Sequence, residues 1–74
     1  MDKKVFLDNF NEILQADKQI DFDTKLSDIE QWDSISITSV MVWIDSSLGI
    51  RLKIADLLKI KTVRDLALLA KIVV

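Results

Sequence analysis

Trp32-Asp33-Ser34-Ile35-Ser36-Ile37 opens a stretch that runs without a helix breaker to Leu48-Gly49, and how it is read decides the fold. Asp33 suits a helix N-cap, because a short side-chain oxygen accepts from the free backbone N–H groups of the first turn. Trp32, just before that cap, and Ile37, four residues after it, have the spacing of a hydrophobic staple. Gly49 ends the helix. At about 100° per residue, Ile37, Val40, Met41, Ile44 and Leu48 fall within roughly a third of the circumference, so that arc faces a core. Ile35 and Val42 share the opposite face with Thr38, Ser39 and Ser46, and only Asp45 brings charge to the helix. Ser34 places a hydroxyl at the helix start, where unpaired N–H groups and the helix dipole favour an anion. The hydroxyl is therefore either part of a simple cap or a point at which a phosphate-bearing group is attached.

Outward from this helix, Val5, Phe6, Phe10, Ile13 and Leu14 recur at spacings of three and four, with Asp8, Asn11, Glu12 and Gln15 on the other side. This predicts an amphipathic helix from Lys3 to Gln15. The connection from Ala16 to Trp32 is long, and its isolated apolar residues Ile20, Phe22, Leu26 and Ile29 are expected to pin it across the helices. After Gly49, an alternating apolar and basic segment to Ile54 suits extended chain. A short helix is expected over Ala55–Ile60 and a last one over Val63–Ile72, with Thr62 and Asp65 spaced as a capping box. On that last helix Val63, Leu66, Ala67 and Ala70 form the inner stripe, whereas Leu68 and Ile72 fall opposite it. The expected fold is all-α: a small four-helix bundle, one domain over residues 1–74, with a long first loop and a short third helix.

Composition agrees with a helical fold, since 74 residues with no Pro and one Gly leave few turn signals. The absence of Cys and His removes the thiol and the side chain that titrates near neutral pH, and there is no Gly-rich phosphate loop, so we expect no enzyme and no metal site. The net charge of −2 hides a polarity: Asp17 to Asp45 carries seven acids against two bases, and Arg51 onward six bases against two acids. A solvated surface accounts for such charges, and the alternative is an acidic middle that steers a basic partner. Nucleic acid is not expected as a partner, because the basic part is short and free of aromatics. No apolar run exceeds the five residues of Val40 to Ile44, far below the roughly 20 residues of a membrane span. With no leader pattern at Met1-Asp2-Lys3-Lys4 either, a cytoplasmic monomer is expected.

In order of elements and in residues, the chain resembles the acyl carrier protein family, including the related peptidyl carrier domains. Asp33-Ser34-Ile35 matches the family's Asp-Ser-Leu attachment motif. Ile44-Asp45-Ser46-Ser47-Leu48-Gly49-Ile50, the short piece Ala55–Ile60 and Lys61-Thr62-Val63-Arg64-Asp65-Leu66 also match. The resemblance implies that a separate Mg²⁺-dependent phosphopantetheinyl transferase, the holo-acyl carrier protein synthase, esterifies Ser34 with 4′-phosphopantetheine from coenzyme A. It further implies that acyl groups ride as thioesters on this arm between loading and transferring enzymes. Asp33 would orient the site for the transferase, and Ile35, Ser39 and Val42 would face partners. An acyl chain gains about 0.8 kcal/mol per CH₂ removed from water, enough over eight carbons to open a small core. Met41, Ile44, Ile54, Leu57 and Ile60 are the candidates to receive it, with Met41 the most adaptable.

The sequence departs from the family where Ser36, Ser39, Ser46 and Ser47 stand at positions at which acids are common on the second helix. We therefore expect a carrier for a specialised lipid, polyketide or related pathway. The alternatives are an aminoacyl or peptidyl carrier and an unmodified helical interaction module.

Overall fold

The computed structural model describes every residue from Met1 to Val74 and contains four helices. These are α1 (Lys3–Leu14), α2 (Ser34–Leu48), α3 (Ile54–Lys59) and α4 (Val63–Leu69), with a 3-10 turn at Leu26–Asp28 in the long first loop. The all-α class, the long loop and the short third helix are as expected. The helix starts follow from local chemistry. Asp2 accepts from the Val5 N–H at 2.9 Å and Asp33 from the Ser36 N–H at 2.9 Å. Thr62 and Asp65 form the reciprocal capping box.

A core of fifteen buried residues, all apolar, joins the four helices and the loop. α1 gives it Phe6, Phe10 and Leu14, α2 gives Ile37, Val40 and Ile44, α3 gives Leu57, and α4 gives Val63, Leu66 and Ala67. Met41 and Leu48 complete the inner arc of α2 as half-buried residues packed on this core. An aromatic row binds α1 to α2. The Phe6 and Phe10 rings are nearly parallel, with centroids 6.4 Å apart. Trp43 sits 5.1 Å from Phe6 and Trp32 5.9 Å from Phe10. Because the later tryptophan meets the earlier phenylalanine, the two helices run antiparallel. Tilted and offset aromatic pairs of this kind add about 0.5–1.5 kcal/mol each beyond the area they bury.

The long loop is packed, as its spaced apolar residues predict: Ile20, Leu26 and Ile29 are buried and Phe22 is half-buried. Its second half lies along the entry to α4. Leu26 N–H donates to the Lys61 carbonyl at 2.8 Å, Val63 N–H to that of Thr24 at 3.1 Å and Arg64 N–H to that of Phe22 at 2.9 Å. Arg64 adds a 2.8 Å contact to the Asp23 carboxylate. Its first half is held by Asn11, which helical periodicity sets on the solvent side of α1. Asn11 is instead half-buried: its Oδ1 accepts from Ile20 N–H at 2.9 Å and its Nδ2 donates to the Ile20 carbonyl at 3.1 Å. A polar residue at the edge of the inner stripe thus satisfies both backbone groups of a buried loop residue, which otherwise lack a partner.

Two further expectations are corrected at helix ends. Residues 55–60 are helical one position earlier, Ile54–Lys59, and α4 stops at Leu69 instead of Ile72. Lys71 adopts a left-handed φ of 60°, with its N–H donating to the Leu68 carbonyl at 3.0 Å and the Ile72 N–H to that of Ala67 at 2.9 Å. This pair of bonds is a Schellman termination. The reversal carries Ile72 back into the core at 4% exposure, while Leu68 stays outside. α1 ends the same way on Gln15 (φ 51°), and only α2 has a glycine, Gly49 (φ 67°), at its left-handed end. Val5, placed in the apolar stripe of α1 by spacing, is largely exposed.

Candidate functional site

The loop closes onto α2 through two tight turns, in which Trp32 N–H donates to the Ile29 carbonyl at 3.1 Å and Asp33 N–H to that of Gln31 at 3.0 Å. Asp33 then caps α2 with its side chain, and its own carbonyl accepts from Ile37 N–H at 2.8 Å. Capping therefore falls to Asp33, and no hydrogen bond engages the Ser34 hydroxyl. Ser34 is exposed on the first residue of α2, and the Ser34 and Ile35 N–H groups have no protein partner. An exposed, unengaged hydroxyl beside two open N–H groups at a positive helix end suits a phosphodiester.

The rest of the outer face of α2 is apolar and hydroxylated. Ile35 is 76% exposed and Val42 62%, with Ser39 in solvent between them. The helix's one charged residue, Asp45, lies 3.9 Å from the Arg51 guanidinium. Thr38 turns its hydroxyl back to the Ser34 carbonyl at 2.8 Å, and Ser46 does the same to Trp43 at 3.2 Å.

The five candidate pocket residues separate into three groups. Ile44 and Leu57 are fully buried, Met41 and Ile60 are half-buried against the same core, and Ile54 stands outside it at 49% exposure. An open cleft of 390 Å³ lies elsewhere, in the long loop, lined by Ala16–Ile20, Thr24 and Asp28–Gln31. A second, of 310 Å³, touches Ile60 alone of the five. No group of acidic residues is arranged to hold a metal ion.

A family model described as the phosphopantetheine attachment site matches residues 4–70. The chain belongs to this family. Comparison with curated proteins and with solved structures found no match. Members of the family are non-catalytic carriers with a 4′-phosphopantetheine prosthetic group, so this chain is a carrier and not an enzyme. Its partners accordingly include a phosphopantetheinyl transferase and enzymes that handle the cargo. No helix of the carrier is long and apolar enough to cross a membrane.

From the sequence Trp32 has a staple onto Ile37 and Trp43 has no role. Both belong to the aromatic row between α1 and α2. The signal was present in the spacing: Trp43 follows Val40 by three residues and precedes Ile44, so it lies at the edge of the inner arc.

Proposed function

We propose that Ser34 carries the 4′-phosphopantetheine arm and that the cargo is an acyl group of a specialised lipid or polyketide pathway, handled by cytoplasmic enzymes. The observation that carries this proposal is the division of labour at the start of α2, where Asp33 makes the cap and leaves an exposed, unengaged Ser34 hydroxyl between open N–H groups. When bound, the arm supplies the thiol that the chain lacks, and with it a thioester link to the cargo. Asp33 keeps the first turn of α2 wound, so that the serine meets the transferase on a fixed helix end.

Ile35, Ser39 and Val42 form the face that partners read, and its near lack of charge supports a partner set distinct from enzymes that select acidic helices. An acyl chain enters between α2 and α3, where Met41, Ile44, Leu57 and Ile60 line the core and Ile54 stands at the rim. The core is packed, so entry requires these side chains to move, and chain burial of about 0.8 kcal/mol per CH₂ drives that movement. We take the carrier to be one domain acting as a monomer.

The test is chemical release of the cargo from the native protein with hydroxylamine, followed by mass analysis. A released carboxylic acid derivative without an α-amino group is expected, and Ser34→Ala protein should release none. A released amino acid or peptide would replace the acyl assignment with an aminoacyl one. A protein that carries no arm at all would be an unmodified interaction module.

A further inference from the structure

We propose that Trp32 is a positioning residue for modification of Ser34, acting through the Phe10 ring of α1. Between the buried residues Ile29 and Ile37, Trp32 is the residue that packs on the hydrophobic core, while Asp33, Ser34 and Ile35 are exposed. Its indole lies 5.9 Å from the Phe10 ring at 50°, and its backbone N–H donates to the Ile29 carbonyl to close the turn. Phe10 is fully buried, so the contact ties the entry of α2 to the core-facing side of α1. Asp33 fixes the first turn only relative to α2 itself. Trp32 fixes that turn relative to the rest of the bundle, two residues before the serine. Without it, the transferase must select a minor population with the helix start in place, and apparent affinity falls in proportion to that population.

Trp43 is the internal control, because it makes the matching contact on Phe6 at 5.1 Å, nine residues after Ser34. The experiment compares Trp32→Ala, Trp32→Phe and Trp43→Ala with the wild-type chain by two measurements. The first is amide exchange of Ser36 and Ile37 in the unmodified protein, normalised to Ala70 at the end of α4. The second is the KM and kcat of a phosphopantetheinyl transferase acting on each chain. Trp32→Ala is expected to speed normalised exchange and raise KM, each about tenfold, with kcat little changed. Trp32→Phe should restore most of both, and Trp43→Ala should leave both near wild type while lowering stability. Equal effects of Trp32→Ala and Trp43→Ala would overturn the proposal, as would wild-type exchange and KM in Trp32→Ala. If Trp32→Ala does not fold, the Trp32→Phe and Trp43→Ala comparison decides, with wild-type-like behaviour of the former and not the latter counting against Trp32. The proposal rests on Ser34 being the modified residue. Failure of that assignment shows separately, as a wild-type chain that takes up no arm, whereas the exchange measurement needs no modification.

Discussion

Replacing Asn11 with Ala should destabilise the carrier far more than its place on the polar side of α1 suggests. The side chain makes three hydrogen bonds, one to the Leu7 carbonyl at 2.9 Å and two that hold the backbone of Ile20 at 2.9 and 3.1 Å. The Leu7 bond matters least, because that carbonyl already lies within the helix ladder. Ile20 is 4% exposed, so truncation leaves its N–H and carbonyl without a protein partner. Each such group costs about 1–3 kcal/mol when buried, and the half-buried site lets water recover part of this, which gives a loss of about 2–4 kcal/mol. A chain of this length has roughly 4–11 kcal/mol in total, so the loss is a large share. It corresponds to a Tm lower by roughly 10–30 °C. Asn11→Asp is no rescue, since it keeps an acceptor for the Ile20 N–H but presents no donor to two carbonyls. The assay is urea denaturation of wild type, Asn11→Ala and the exposed control Glu12→Ala, with amide exchange at Ile20. An Asn11→Ala loss below about 0.5 kcal/mol, the range of an ordinary surface change, with unaltered Ile20 exchange would refute the clamp.

The left-handed ends at Gln15 and Lys71 predict that Gln15→Gly and Lys71→Gly each raise stability by about 0.5–1 kcal/mol, whereas the same change at exposed Lys4 within α1 lowers it. Thermal denaturation decides the signs. Backbone hydrogen bonds from Lys61 and Thr62 hold the Asp65 carboxyl below its ordinary value, against an opposing effect of desolvation. Its stabilising contribution is therefore full above the unfolded value and lost as pH falls through the folded one. The denaturation midpoints of wild type and Asp65→Asn should keep a constant gap near neutral pH and converge below about pH 4. A gap that widens with acid would show the opposite sign. Val42→Asp should leave stability within about 0.5 kcal/mol and slow acyl loading roughly 5- to 30-fold, the effect of losing one or two kcal/mol of docking. Loading at the wild-type rate by every cognate enzyme would remove Val42 from the docking face.

Much of this architecture is legible in the residues because helical periodicity and capping chemistry are local. Asp33, Thr62, Asp65 and Gly49 announce three helix boundaries by side-chain type alone, and the arc Ile37, Val40, Ile44 identifies the inner face of α2. What escapes depends on contacts distant in sequence or on a change of backbone direction. Asn11 looks like a solvent residue until Ile20, nine positions away, is brought against it. Ile72 falls on the wrong side of an extrapolated helix because nothing about a lysine marks Lys71 as left-handed. Trp43 finds its role, and Trp32 its contact with Phe10, only when α1 lies antiparallel to α2. At the candidate site, the separation of the capping Asp33 from the free Ser34 follows from residue order, whereas the exposure of Ile54 does not, since α3 is too short for periodicity to define a face.

Attachment of the arm at Ser34, proposed above, predicts a mass change that depends on that side chain alone. The most direct measurement is the intact mass of the purified chain after incubation with coenzyme A, Mg²⁺ and a broad-specificity phosphopantetheinyl transferase, beside Ser34→Ala and Ser36→Ala. Wild type and Ser36→Ala are predicted to gain the mass of one phosphopantetheine and Ser34→Ala none. An undiminished gain in Ser34→Ala, or no gain in wild type with several transferases, would exclude attachment at Ser34.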